Sequence, residues 1–180
     1  MNMNRIAKFE KVSYEQFKKD WLDTFANKFN ELDEETIEAI VRNIYNNIKL
    51  PQRATIKSAG YDFFSPKDFT IEINGVIKIP TGIRCWIDDG WVLKAYPRSG
   101  HGFKYGVSLA NTTGIIDGDY YDSDNEGHIF IKLVNDSVLA KHIEFKTGDA
   151  FCQGIFSLYG ITVDDDVTKI RNGGFGSTGK

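Results

Sequence analysis

A mainly β domain carrying an N-terminal helical extension is the fold class this 180-residue sequence predicts, on three observations. Up to residue 49 the apolar residues recur every three or four positions, as on one face of a helix; beyond Leu50-Pro51 they alternate. Turn signals such as Asn74-Gly75, Asp88-Asp89-Gly90 and Gly148-Asp149 cut the alternating part at the spacing of an all-β sandwich or barrel. The end of the chain reads RNGGFGSTGK, a composition that cannot build a core. The predicted division is a helical extension over 1–49, a β domain over 50–170 and a glycine-rich, flexible C-terminal tail over 171–180.

In the extension, Ser13 followed three residues later by Gln16 fits a capping box. Phe17, Trp21, Phe25 and Phe29 then form one apolar stripe. A second helix is expected from about Asp33, with Ile37, Ile40, Val41, Ile44, Tyr45 and Ile48 on its apolar face. Two such helices must bury those faces, either on the main core or against a partner. In the β domain, Phe69, Ile71 and Ile73 lead into a tight hairpin at Asn74-Gly75, with Ile77 and Ile79 on its return. Strands are expected through Ile83, Cys85 and Ile87, from Trp91 to Tyr96, from His128 to Leu133 and from Ala150 to Tyr159.

Hydrophobic residues at 41% and charged residues at 26% are a globular composition, with chain enough for one real core. The net charge of −3 argues against a groove tracking a nucleic-acid polymer, which needs a basic face. No apolar run approaches the roughly 18 residues that cross a membrane, and the first residues lack the apolar core of a signal peptide. Cys85 and Cys152 lie far apart in apolar sequence, so free buried thiols and a cytoplasmic setting are expected. His101, His128 and His142 show no zinc-ligand spacing.

Five stretches carry candidate chemistry. In GIIDGDYY (114–121), a buried run ends in Asp117, then Gly118, Asp119 and two tyrosines. A strand end holds such a carboxylate rigidly, which suits an acid that activates water; the plainer reading is a hairpin whose two aspartates cap its turn. Arg98, Ser99 and Gly100 in PRSG make a phosphate seat. Asp62, in AGYDF, either orients metal-bound water or satisfies backbone donors. Gln153, in GDAFCQG, is an amide inside an apolar strand and needs partners. The tail spells GxxxxGK over 174–180, but a P-loop, which needs a strand before it and a Ser or Thr and a helix after the lysine, is not expected here; its backbone N–H groups, Ser177, Thr178 and Arg171 can still wrap phosphate, and Phe175 can stack on a planar ring.

AGYDF, PRSG, GVSLANTTGIIDGDYY, GDAFCQG and RNGGFGSTG, in this order over residues 59–179, resemble the five motifs of the trimeric dUTPase (dUTP diphosphatase) family. The helices lie outside the usual family core and are similar to an extended branch in Gram-positive bacteria and their phages. The resemblance implies a dUTPase-like jelly-roll or β-clip barrel, a homotrimer with active sites shared among chains, and Mg2+-dependent hydrolysis of dUTP to dUMP and pyrophosphate. It assigns Asp117 to the water attacking the α-phosphorus, and Tyr120 to the underside of the deoxyribose, where it leaves no room for a 2′-hydroxyl. Asn111, with Gly114 and the hairpin backbone, would read the uracil edge. Arg98, Ser99, Gly100 and Gln153 would hold phosphate oxygens, and Asp62 would reach the metal through water. Arg171, Gly176, Ser177 and Thr178 would clamp the phosphates while Phe175 covers the base.

The chain departs from the family pattern at four places: Asp122 replaces a glycine, with SDNEG lengthening that turn; Ala150 replaces an arginine; the tail is one residue shorter between Arg171 and Phe175; and His101 stands where an apolar residue is usual. Two other functions fit the same fold. A dCTP deaminase would need a glutamate where GHIFIKLVN places Lys132. A phage-type regulatory protein would use the helices to bind a protein partner.

Overall fold

Alternation of apolar and polar residues builds most of this molecule. The computed structural model describes residues 4–136, 141–169, 171 and 173. Strand β1 (Ala7–Lys11) comes first, then helices α1 (Tyr14–Phe25) and α2 (Glu34–Asn46). Strands β2 (Gln52–Arg53), β3 (Tyr61–Phe64), β4 (Phe69–Ile71), β5 (Val76–Pro80), β6 (Ile83–Ile87) and β7 (Trp91–Pro97) follow. A short helix α3 (Ser99–Tyr105) leads to β8 (Val107–Leu109) and β9 (Gly114–Ile116). After a 3₁₀ turn at Gly118–Asp122 come β10 (Phe130–Asn135), β11 (Ile143–Phe145) and β12 (Ala150–Leu158).

Among the described residues the strands pair antiparallel in a jelly-roll-like arrangement of four sheets: β2-β3-β12-β7-β9, β5-β10-β8, β1-β6 and β4-β11. No helix among the described residues is long and apolar enough to cross a membrane. Cys85 and Cys152 are buried and free, as expected.

Two local expectations need correction. The stretch 1–49 is not helical throughout, because Ala7–Lys11 is a strand pairing with β6 from Ala7↔Ile87 to Lys11↔Ile83. Five alternating residues are too few to stand out beside two longer helical patterns. Phe9 fixes the strand by packing its ring against those of Tyr61, Phe63 and Phe156. The helices are therefore inserted between two strands of the β domain. The Asn74-Gly75 turn also joins no hairpin, since β4 pairs with β11 and β5 with β10. Asn135 takes the turn's backbone groups instead, accepting from Asn74 N–H at 3.0 Å and donating its own N–H to Gly75 O at 3.0 Å.

The helices start where the capping residues place them. Ser13 Oγ accepts from Gln16 N–H at 3.1 Å, and the Asp33 carboxylate from Thr36 N–H at 2.8 Å. Phe17, Trp21, Val41, Ile44 and Ile48 are buried in one cluster with Phe63, Ile83, Leu93 and the other β residues. The helical pair thus packs on the main core, which its apolar faces require. The close approach depends on Gly82, between β5 and β6. Its φ is +71°, and a Cβ there would lie 2.2 Å from Ile48 Cδ1 and 3.2 Å from Phe17 Cδ2. Gly82→Ala adds overpacking to a left-handed backbone and is expected to cost about 2–4 kcal/mol in urea unfolding. A loss below about 0.5 kcal/mol would mean that the helices do not bear on this strand junction.

Candidate active site

The candidate residues fall into two groups, one on the five-stranded sheet and one where that sheet parts from the sheet of β8. In the first, β12 lies between β3 and β7, with Gln153 opposite Asp62 on one side and Tyr96 on the other. Paired residues project to the same face of a sheet, so Asp62 and Gln153 share one. Arg98 follows the end of β7 and turns back, its Nε 3.0 Å from Asp62 Oδ1. Gln153 donates from Nε2 to Pro97 O at 3.1 Å, so the amide expected to need partners has one at the strand end. Arg98 is also the N-cap of α3, and Ser99 and Gly100 open its first turn, where backbone N–H groups lack intrahelical acceptors. The structure therefore brings together Asp62, Arg98, Ser99, Gly100 and Gln153. His101, one position on, is an aromatic filler with its ring 4.8 Å from that of Phe145; burial, with Arg98 nearby, lowers its pKa and favours the neutral ring.

The second group surrounds β8 and β9. These strands flank a hairpin turn but each joins a different sheet, β8 pairing with β10 and β9 with β7. A cavity of about 520 Å³ opens where they part, lined by Asn111 and Gly114 of the hairpin with Leu109, Phe130 and Lys132 beside them. Splayed strands leave backbone donors and acceptors available along the cleft, which is what reading the edge of a planar base requires. Gly114 has to stay small, since a Cβ there would lie 3.1 Å from Ala95 Cβ.

Asp117 stands at the exit of β9 and precedes the 3₁₀ turn, but its side chain makes no capping bond. The plain hairpin-cap reading is thus set aside. Its carboxylate is 46% exposed and meets Arg171 Nη2 at 2.8 Å, while Arg171 Nε lies 3.3 Å from Asp119. The turn behind Asp117 is held from outside: Arg84 stacks 3.5 Å from the Tyr121 ring centroid, and the Tyr121 hydroxyl bonds Glu10. Tyr120 is buried, with its hydroxyl donating to His128 O at 2.7 Å and the Arg171 guanidinium 5.5 Å from its ring. Of the tail residues expected to contribute, Phe175, Gly176, Ser177 and Thr178 lie outside the described residues.

The two groups do not meet within one chain. Gly114 pairs with Ala95 and Ile116 with Leu93, so Asp117 continues toward the Val92 end of β7 while Arg98 leaves the opposite end. Six residues of strand separate those ends, roughly 20 Å.

Four residues with a place at this site escaped the sequence reading. Asp20 of α1 and Asn125 of the lengthened turn line the cavity, and His128 and Glu126 tie that turn to α1. One signal was available: Asp20 sits three residues after Phe17 and one before Trp21, a carboxylate on the buried stripe, where a charge needs a partner.

The dUTPase family profile matches residues 46–179. The deoxyuridine 5′-triphosphate nucleotidohydrolase of Lactococcus lactis is 34% identical over 145 residues, covering 79% of this chain and 95% of that protein. The enzyme of the same name from Dictyoglomus turgidum is 36% identical over 152 residues, with 79% and 99% covered. The crystal structure of the Streptococcus mutans dUTPase superposes with a TM-score of 0.57 at 33% identity, over 65% of this chain and 90% of that one. At 20% identity and a TM-score of 0.56, a variant of the dUTPase from phage phi11 of S. aureus, described as coordinating a structural Mg(II) ion, shares the fold over 71% of this chain and 95% of that one. The family profile and these relatives make the chain an enzyme of the nucleotide-hydrolysing class. The chain belongs to the dUTPase family.

Gly60 offers a local test of the first group. A Cβ there would meet only Gln153, 2.6 Å from its Oε1. Gly60→Ala should displace that amide and little else, lowering turnover of dUTP about 10- to 100-fold while thermal stability stays within a few degrees. Unchanged turnover would remove Gln153 from the working site.

Proposed function

We infer that the protein hydrolyses dUTP to dUMP and pyrophosphate at sites that take their parts from more than one copy of the chain. One observation carries the shared site: Asp117, just past β9, lies beside the Val92 end of β7, while Arg98 leaves the opposite end. An acid that positions attacking water and the groups that hold the same phosphate must lie within a few ångströms of the reacting atoms. Separation by roughly 20 Å of strand forbids this within one chain. A closed ring of copies lets the Asp117 end of one meet the Arg98 end of another, and the homotrimer implied by the family resemblance is such a ring.

In that site the uracil enters the splayed hairpin, where Asn111 and the backbone beside Gly114 read its edge. Tyr120, held under the sugar, excludes a 2′-hydroxyl. Asp117 takes a proton from water as the water oxygen bonds to the α-phosphorus, and the bridging oxygen departs with pyrophosphate. Arg98, Ser99, Gly100 and Gln153 of a neighbouring copy bind phosphate oxygens and stabilise the charge that develops there. Arg171 moves from the two aspartates it now meets to the terminal phosphates, as the tail with Phe175, Gly176, Ser177 and Thr178 covers the base. Magnesium suits this donor set, because it dehydrates reluctantly and rides on triphosphate oxygens with only one or two carboxylates nearby. Among the described residues no three metal-binding side chains cluster, and Asp62 is the carboxylate beside the phosphate-binding arginine. Asp62 would hold the ion through water, and the ion would neutralise triphosphate charge.

Pyrophosphate release with Mg2+ should be seen with dUTP and be far slower with UTP, dCTP and dTTP. Equal release from UTP would remove the sugar role of Tyr120, and ammonia release from dCTP would point instead to deamination. Asp117→Asn should lower turnover about 10²- to 10⁴-fold and leave dUTP affinity within a few-fold by calorimetry. Asp117→Asn and Arg98→Ala chains, each inactive alone, should regain activity when refolded together, to about a quarter of wild-type sites for random pairing. No recovery in verified mixed oligomers would rule out shared sites.

A further inference from the structure

We propose that Asp20, on the inserted helix α1, is a positioning residue that sets Tyr120 through His128 and so sharpens discrimination between deoxyribose and ribose. This rests on the reading of Tyr120 as the residue beneath the sugar. Every link of the chain is a short contact. His128 is fully buried, and its Nε2 accepts from the backbone N–H of Gly82 at 2.8 Å. A ring nitrogen that accepts from an N–H carries no proton, so the proton of this imidazole is on Nδ1. From Nδ1 it is donated to Asp20 Oδ2 at 2.5 Å, and Gln16 Nε2 donates to the same oxygen at 2.8 Å.

The backbone carbonyl of His128 continues the chain. It accepts the Tyr120 hydroxyl at 2.7 Å, and that hydroxyl also accepts from Asn125 Nδ2 at 2.8 Å. With donor and acceptor both engaged, the phenol is fixed at its far end, and with it the plane of the ring. The loop is tied to the helix a second time: Glu126 accepts from Ser13 N–H at 2.7 Å and from Ser13 Oγ at 2.6 Å. Asp20 and Asn125 line the same cavity as Asn111 and Gly114, so the network ends at the nucleoside pocket.

A carboxylate this buried is costly without partners. Burial by itself would raise the Asp20 carboxyl pKa, but the hydrogen bonds from His128 and Gln16 hold it below the usual range. An apolar residue would satisfy the helix stripe better. What the carboxylate supplies is a fixed acceptor that sets the orientation of His128, and hence the height of the carbonyl on which Tyr120 rests.

The test compares kcat/KM for dUTP and UTP, with Mg2+, in full-length variants. Asp20→Ala should lower the dUTP:UTP ratio about tenfold, chiefly by faster use of UTP. Asp20→Asn keeps an acceptor for His128 Nδ1–H and should keep most of the ratio. Val41→Ala, a core truncation on α2, should lose stability and leave the ratio unchanged. Should Asp20→Ala fail to fold, Tyr120→Phe cuts the same chain at its other end and should also lower the ratio. An unchanged ratio in Asp20→Ala, or in Tyr120→Phe where that variant stands in for it, overturns the inference while Tyr120→Ala still lowers the ratio. If Tyr120→Ala leaves the ratio unchanged, the sugar reading of Tyr120 falls and this inference with it.

Discussion

Three parts of the molecule meet at the backbone of Gly82. Its carbonyl accepts from Val12 N–H at 3.0 Å, where β1 hands over to α1. Its N–H is given to His128, at the end of the turn that begins with Asp117. Its missing side chain admits Phe17 of α1 and Ile48, just past the end of α2. Only a residue without a Cβ, in the left-handed region, can do all three at once. The inserted helices, the β frame and the turn after Asp117 are therefore mutually located by one residue, and the polar contacts around His128 inherit their geometry from it.

The five-stranded sheet sets the other constraint. Its ladders are continuous from β2 to β9, and the two candidate groups lie near opposite ends of β7: Arg98 follows one end, and Asp117, just past β9, lies beside the other. A sheet is stiff along its strands, so the two groups cannot be brought together by bending. The proposed chemistry, which needs both, therefore calls for more than one copy of the chain. The contact of Arg171 with Asp117 and Asp119 belongs to the same logic. A guanidinium between two carboxylates lies beside the acid proposed to position water, and phosphate oxygens offer it an equivalent bidentate partner.

Most of the β domain was legible because its signals are local. Pro97 ends β7, Asp33 caps α2, alternation marks β6 and β10, and an apolar run marks β12; Arg98 and Asp117 follow strand ends, Asn111 sits at the hairpin turn, Asp62 lies near the start of β3 and Gln153 inside β12, as their neighbours imply. What could not be read were the long-range choices. The Asn74-Gly75 turn is real, with Asn74 at φ +56°, but sequence spacing cannot say that Asn135 will occupy its backbone groups and send the flanking strands to separate sheets. The capping box shows the same effect on a small scale. Ser13 caps Gln16 as expected, yet the reciprocal bond to Ser13 N–H comes from Glu126, 113 residues away, which frees Gln16 for Asp20. His128 gave no sign of its role, because a lone histidine beside an apolar strand acquires meaning only from the residues the fold places around its two nitrogens.

The position of the helices explains how they can act on the site without disturbing it. They enter between β1 and β2, and β1 keeps its full register with β6 while β2 pairs with β3. The ladders on either side of the insertion therefore do not depend on what it contains, and lengthening such a connection costs little, since closure entropy grows only with the logarithm of its length. The insertion offsets that cost by burying Phe17, Trp21, Val41 and Ile44 in the common core. Burial alone is non-directional and would let the helices settle anywhere on an apolar surface. Direction comes from Ser13–Glu126 and Asp20–His128, two polar links that both end on the turn following Asp117. A brace that touches the frame through apolar contacts and the turn after Asp117 through hydrogen bonds fixes the turn and leaves the sheet unchanged, which is the arrangement expected of an element that tunes the proposed site rather than builds it.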